Sequence, residues 1–255
     1  MAEIFDSHAH YDSERFDGIR EDTLYQMPSK GVCGIINCGS DIASSESSIE
    51  LAQKYPFVYA AVGVHPHEAE DAQPDYLEVL KEMSKQQKVV AIGEIGLDYH
   101  YDFSPRDVQK KTLREQLALA KELSMPVILH DRESHEDMYS ILREFAPLTG
   151  VMHCFSGSVE LMRESLADGL YIGIGGSLTF KNARVPVEVA AAVPMDRFLL
   201  ETDAPYMAPV PHRGETNVSP FIIHVAEKMA EIRGVSVDEI LSAGEKNARK
   251  LFNIE

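Results

Sequence analysis

The chain of 255 residues, with 44% hydrophobic and 25% charged side chains, has the composition of a soluble globular protein and is long enough for one large α/β domain or two modest ones. Its net charge of -17 excludes the broad Lys and Arg footprint of an extensive nucleic-acid surface, so a phosphate ester would have to be held by metal ions and a few local cations. No run approaches the length of a membrane-spanning helix, and no basic segment followed by an apolar one opens the sequence; with three unpaired-looking cysteines, Cys33, Cys38 and Cys154, the expectation is a cytoplasmic protein with reduced thiols.

In chain order, β-type runs alternate with helical patterns. The first apolar run closes on Asp6-Ser7-His8-Ala9-His10. Alternation along a strand puts Ile4, Asp6, His8 and His10 on one face, with Cα atoms of the two histidines roughly 6.5 Å apart, close enough to share a metal ion. Further strands are expected at Val32 to Cys38, Val58 to Val64, Val89 to Ile95, Pro126 to Leu129, Gly150 to His153, Leu170 to Ile174 and Phe198 to Leu200. The Ser-rich patch Ala43 to Ser48 reads as a helix start. Between Asp107 and Leu123, Leu113, Leu117 and Ala120 form a helical stripe along which Lys121 can lay its stem. Met138, Ile141, Leu142 and Phe145 form another. Ser219 is the expected N-cap, with Pro220 at the first position, of a helix carrying Ile222, Val225, Met229 and Ile232, and Ser236 to Glu239 reads as a capping box. Eight strands recurring at an average of roughly 28 residues fit βα units. The fold class is therefore α/β, a single (β/α)8 TIM-type barrel domain over residues 1–255, with a doubly wound open sheet as the alternative.

The polar residues favour the barrel, whose active sites lie at the carboxyl ends of strands. His8 and His10 end the first strand, Gly63-Val64-His65-Pro66-His67 the third, and Gly93-Glu94-Ile95-Gly96-Leu97-Asp98 the fourth. His130-Asp131-Arg132, His153-Cys154-Phe155-Ser156-Gly157 and Glu201-Thr202-Asp203-Ala204-Pro205 end the fifth, sixth and eighth. A single strand-end histidine is ordinarily structural, but convergence from so many strands is not a packing pattern. His8, His10, Glu94, His130, His153 and Asp203 form a set that can bind two divalent ions if Glu94 bridges them: His8, His10, Glu94 and Asp203 around one, Glu94, His130 and His153 around the other. Mixed imidazole and carboxylate ligation suits Zn, Mn or Fe and is richer in nitrogen than Mg prefers.

These motifs, together with Ala208-Pro209-Val210-Pro211-His212-Arg213-Gly214 and Asn247-Ala248-Arg249-Lys250-Leu251-Phe252, resemble in order and spacing the TatD family of metal-dependent deoxyribonucleases. The resemblance covers Asp6 to Phe252. It implies a TIM-type barrel of the amidohydrolase-like superfamily that hydrolyses DNA phosphodiesters with divalent metal, often Mg, as a 3′ to 5′ exonuclease favouring single strands, and it implies the same six metal ligands. Asn217-Val218-Ser219-Pro220 and the His100-Tyr101-Asp102 that follows Asp98-Tyr99 depart from the family pattern.

The expected mechanism is attack on phosphorus by a water activated between two ions. Asp203 is the candidate to orient that water and take its proton, with Glu94 as bridging carboxylate. Glu201 is either a partner of a ligand histidine or a substrate contact. His65 is a candidate donor to a phosphate oxygen or leaving group, while His67 orients its loop. Arg213, His212, Arg132 and Lys181 are candidate phosphate contacts, against the alternative of solvated surface charge. Tyr99 or Phe155 is a candidate base-stacking ring. Cys154 reads as a small buried residue, and His100, His135 and His224 as surface or helix positions. The alternatives are a D-aminoacyl-tRNA deacylase, a small-molecule amidohydrolase or lactonase, and a non-enzymatic metal-stabilised scaffold. Many amidohydrolases bridge their metals with a carboxylated lysine on strand four, where this chain has Glu94.

Overall fold

In the computed structural model, which describes residues 2–255, the eight expected β runs pair in parallel and in chain order. The strands are β1 (Ile4–Ala9), β2 (Val32–Cys38), β3 (Val58–Val62), β4 (Val89–Asp98), β5 (Val127–Arg132), β6 (Gly150–Met152), β7 (Leu170–Ile174) and β8 (Phe198–Leu200). Among the described residues the α-helices are α1 (Arg20–Tyr25), α2 (Ile42–Lys54), α3 (Tyr76–Met83), α4 (Arg106–Leu123), α5 (His135–Phe145), α6 (Val159–Ala167), α7 (Arg184–Ala192), α8 (Ile222–Arg233) and α9 (Val237–Phe252). The fold is thus the TIM-type barrel expected, not an open sheet.

Two apolar layers follow from the pleat. Phe5, Ile36, Ala61, Ala91, Ile128, Val151, Tyr171 and Leu199, at least one from each strand, form an inner cluster with Ala248, Leu251 and Phe252 of α9. Residues of opposite parity pack outward against the helices, among them Leu113, Leu117 and Ala120 of α4. Two residues beyond the inner-cluster Ile128, Val151 and Leu199 come His130, His153 and Glu201. Period-2 alternation therefore carries the hydrophobic interior directly into the polar floor of the carboxyl face.

Strands β4 and β5 run farther than their sequence suggests, because the pairing continues through Gly96↔His130, Leu97↔Asp131 and Asp98↔Arg132. His130 consequently lies within β5 and not beyond it, as Glu94 lies within β4. In β1 the expected alternation fails: the β1–β2 register shifts between Asp6 and Ala9. His8 and His10 face Glu94, whereas Asp6 reaches Thr202 and Ser219.

β8 does not meet β1 in a regular ladder. A single bridge pairs Ala9 with Ala204, flanked by His10 N–H donating to Ala204 O at 2.7 Å and Asp203 N–H donating to His8 O at 3.0 Å. Side chains complete the seam. Ser7 Oγ donates to Leu200 O at 3.0 Å. The wholly buried Asp6 accepts from Thr202 N–H (3.0 Å), Thr202 Oγ1 (2.6 Å), Ser219 Oγ (2.6 Å) and His8 N–H (3.3 Å).

Helix signals are borne out at α2, where Asp41 and Ser44 form a capping box, and at α9, where Ser236 and Glu239 form another. Ser219 is a correction. It opens a 3-10 turn, Ser219–Phe221, and α8 begins only at Ile222. Its hydroxyl donates to Asp6 and lies 2.8 Å from Tyr11 OH, so the side chain is committed to the buried seam. Lys121 is exposed and does not cover the α4 stripe. Two buried glutamines of α4 instead hold the loops of the carboxyl face. Gln116 brackets Val64 through Oε1 to N–H (2.8 Å) and Nε2 to O (2.9 Å). Gln109 brackets Asp98 in the same way, at 2.9 and 3.2 Å.

Asp6→Ala leaves three or more buried donors without an acceptor, each costing about 1–3 kcal/mol. The urea unfolding midpoint of this variant is expected to fall by the equivalent of about 3 kcal/mol or more. An unchanged midpoint would show that the seam holds without Asp6.

Candidate metal centre

Glu94 sits at the focus of the carboxyl face, and its two oxygens serve different groups. Oε2 lies 3.2 Å from His8 Nε2 and 3.5 Å from His10 Nε2. Oε1 lies 2.7 Å from His130 Nδ1, 3.6 Å from His65 Nε2 and 3.9 Å from His153 Nε2. Asp203 Oδ1 approaches His10, His153 and His8 at 3.6, 3.8 and 3.9 Å. His8 and His10 turn their Nε2 atoms toward each other at 3.0 Å, and the His8 and His153 rings stack at 3.5 Å. Three donor groups result, each with atoms within 4.8 Å of one another: His8, Glu94 and His153; His8, His10 and Asp203; His65, Glu94 and His130. All six sequence-derived ligands converge. His65 also comes within the Glu94–His130 group, and His153 lies near both His8 and Glu94.

The surrounding contacts set tautomers. His10 Nδ1 faces Cys38 O at 2.8 Å, which leaves Nε2 free to bind. His65 Nδ1 accepts from His67 N–H at 3.2 Å, so the proton of a neutral ring resides on Nε2 and makes that atom a donor. Asp98, fully buried, faces both His67 Nε2 (2.9 Å) and His130 Nε2 (3.1 Å). Glu201 Oε2 lies 3.2 Å from His153 Nδ1, and its Oε1 accepts from Cys154 N–H at 2.5 Å. Gly173 makes this possible, because a Cβ there would come within 2.5 Å of a Glu201 oxygen.

Charge balance points to cations. Burial alone would raise Glu94, but the imidazoles of His8 and His65 with hydrogen bonds from His10 and His130 hold it well below the usual carboxylate range. Burial likewise raises Asp203, and His10 and His153 reverse that effect. Conversely, burial lowers His130 and His153, yet Asp98 and Glu94 push the first up to about 9, and Glu201 and Glu94 push the second up to about 9. His65 goes the other way, held well below its ordinary value by burial and by His130. In the metal-free protein imidazolium groups thus carry the positive charge that the carboxylates attract. Nitrogen and oxygen donors of this kind, with second nitrogens backed by Asp98, Glu201 and Cys38 O, fit divalent metal.

The donors open onto a cavity of about 610 Å³ bordered by His65, His67, Tyr101, Arg132, Tyr206 and Met207, among others. A family model described as TatD related DNase matches residues 5–253. This chain belongs to the TatD family. A TatD-family relative of Bacillus subtilis (strain 168), described as the uncharacterized metal-dependent hydrolase YabD, is 43% identical over 253 residues, covering 98% of this chain and 99% of the relative. The 3′-5′ ssDNA/RNA exonuclease TatD of Erwinia tasmaniensis is 35% identical over 259 residues, covering 98% of this chain and all of that protein. The solved structure of YJJV, a TatD homologue from Escherichia coli K12, superposes with a TM-score of 0.92 at 36% identity, covering 99% of this chain and 98% of that one. The chain is a metal-dependent hydrolase of this family.

Several sequence-derived substrate contacts lie elsewhere. Tyr99 OH donates to Asp137 at 2.6 Å and Arg106 covers its ring, so it is committed to the helix side. Arg213 donates to Ala208 O at 2.8 Å and lies over Phe180. His212 stacks on Phe221 at 3.8 Å. Both shape their loop and neither borders the metal-centre cavity. Lys181 borders a separate depression with Arg184 and Lys228. Phe155 is buried but borders a second cavity with His130, Arg132, His153 and Asp203. Glu201, also buried, backs His153. Arg132 does border the cavity. The residues missed by sequence are Asp98, the shared partner of His67 and His130, and Tyr101. The spacing of Asp98 at the same strand end as Glu94 was the available signal.

Glu201→Gln removes the charge behind His153. Metal affinity measured by chelator competition is expected to fall about 10–100-fold, and unaltered affinity would assign Glu201 a purely structural role.

Proposed function

We propose that this protein is a 3′ to 5′ exonuclease that hydrolyses phosphodiester bonds of single-stranded DNA in the cytoplasm, with residues 1–255 as one catalytic domain. The observation that carries the reading is the convergence of Glu94, Asp203 and the histidines on an open cavity whose single bordering Lys or Arg is Arg132. The printed name of the Erwinia tasmaniensis relative supports the substrate class and makes single-stranded RNA the second reading. The absence of any lysine among the cavity residues speaks against a carboxylated-lysine amidohydrolase. Free Cys33, Cys38 and Cys154 suit a reducing compartment.

His8, His10, Glu94 and Asp203 would hold one divalent ion and Glu94, His130 and His153 a second, with Glu94 shared between them. Bound there, divalent ions supply positive charge that polarises a phosphoryl group and lowers the pKa of a water. Asp203 orients the attacking water and accepts its proton. Its side chain is 20% exposed, against 4% for Glu94, so of the two carboxylates it is the one that substrate and water can reach. His65 donates from Nε2 to a phosphoryl oxygen, for which its neutral tautomer is suited. Arg132 presents its guanidinium to a phosphate at the cavity mouth.

End-labelled single- and double-stranded oligonucleotides, with and without Mg or Mn, test this. Wild type is expected to release 3′-labelled mononucleotides first, Asp203→Asn to lose about 10²–10⁴-fold in kcat, and His8→Ala to lose metal as well as activity. Full activity in Asp203→Asn, or none in wild type with any metal, would refute the reading. Divalent metal is further expected to raise the thermal midpoint of wild type, by about 2.7 kcal/mol of stability at one hundred times Kd, and to leave Glu94→Ala unmoved.

A further inference from the structure

The loop between β4 and α4 exposes two large rings at the rim of the metal centre. Tyr101 is 49% exposed and Phe103 66%. The rings stack on each other at 5.3 Å with an interplanar angle of 23°, and the Arg132 guanidinium lies 4.7 Å from the Tyr101 centroid. Arg132 forms no ion pair among the described residues and borders the metal-centre cavity while its guanidinium lies over the Tyr101 ring. His67 buttresses both rings edge-on, at 5.4 and 4.8 Å.

This loop is built and not slack. Asp98 Oδ1 accepts from the backbone N–H groups of His100 (3.0 Å) and Tyr101 (2.9 Å), and Ser104 Oγ donates to His67 O at 2.9 Å. The other oxygen of Asp98 faces His67 and His130. One buried carboxylate therefore aims the Tyr101 backbone and orients a candidate metal ligand, which fixes the rings relative to the centre. Exposed, rigidly held π faces beside a guanidinium match a base and its phosphate.

We propose that Tyr101 and Phe103 form a stacking platform for an unpaired nucleobase of the strand whose phosphodiester occupies the metal centre, with Arg132 on an adjoining phosphate; this rests on the phosphodiesterase reading above. Single-strand preference follows physically. A base in a duplex already spends both faces on its neighbours, whereas a base in a single strand can exchange a weak stack for the platform.

The test is binding of single-stranded oligonucleotides carrying 2-aminopurine at each of the three 3′-terminal positions, alongside strands abasic at those positions. Wild type is expected to quench 2-aminopurine at one position and to bind the base-bearing strand about tenfold more tightly than its abasic counterpart. Tyr101→Ala and Phe103→Ala should lose that discrimination, and Tyr101→Trp should keep it. Equal affinity of wild type for the base-bearing and abasic strands, retained discrimination in the Ala variants, or no binding of either strand overturns the platform. Parallel cleavage assays separate the two readings. Hydrolysis without base discrimination leaves the exonuclease standing and removes the platform, and discrimination without hydrolysis does the reverse.

Discussion

A carboxylate buried where two strands fail to form a ladder holds this barrel closed. β1 and β8 share one bridge, Ala9 with Ala204, and Asp6 accepts the Thr202 N–H there together with the hydroxyls of Thr202 and Ser219. Burial pushes the Asp6 carboxyl up to about 7 even against those hydrogen bonds. The metal centre depends on this closure. His8 and His10 leave β1 on one side of the seam and Asp203 leaves β8 on the other, with Asp203 N–H donating directly to His8 O.

Around the centre a repeated device places three of the rings: the nitrogen facing away from Glu94 or Asp203 faces a carboxylate or carbonyl. Cys38 O engages His10, Asp98 engages His130, and Glu201 faces His153. These partners come from elements far apart in the chain. Gln109 of α4 satisfies both the N–H and the C=O of Asp98 at the end of β4, and Gln116 does the same for Val64 beside His65. The acidic excess of the protein is consistent with this plan, since substrate anions are met by local charge at the centre and not by a basic surface.

Strand order and the residues that gather at the centre were legible because both rest on local pattern. Short apolar runs at βα spacing predict the parallel barrel, and His8, His10, Glu94, His130, His153 and Asp203 stand out as polar residues where strands run out. Ring orientation was not legible: the His153 ring stacks on His8, and His65 lies within the Glu94–His130 group. Side-chain roles in loops were also beyond local pattern. Tyr99 and Tyr101 are two residues apart in the same segment, and only contacts with Asp137 and Arg106 on one side and Arg132 on the other distinguish the structural ring from the exposed one. Arg213 looked like a phosphate contact in a Pro- and Gly-bounded loop, yet a carbonyl and the face of Phe180 claim it.

By itself, then, the sequence determined the succession of strands and helices, the residue types that arrive at the carboxyl face, and an affinity of that set for divalent metal, because alternation and donor chemistry are properties of neighbouring residues. The tertiary structure alone decided where β1 breaks its alternation so that Asp6 turns to the seam while His8 turns to the centre. It also decided which nitrogen of each histidine faces Glu94, and that Asp98 lies behind His130 and Glu201 behind His153. Those outcomes are set by groups tens to nearly two hundred residues away, and the competition among buried donors and acceptors is resolved only once the barrel has closed.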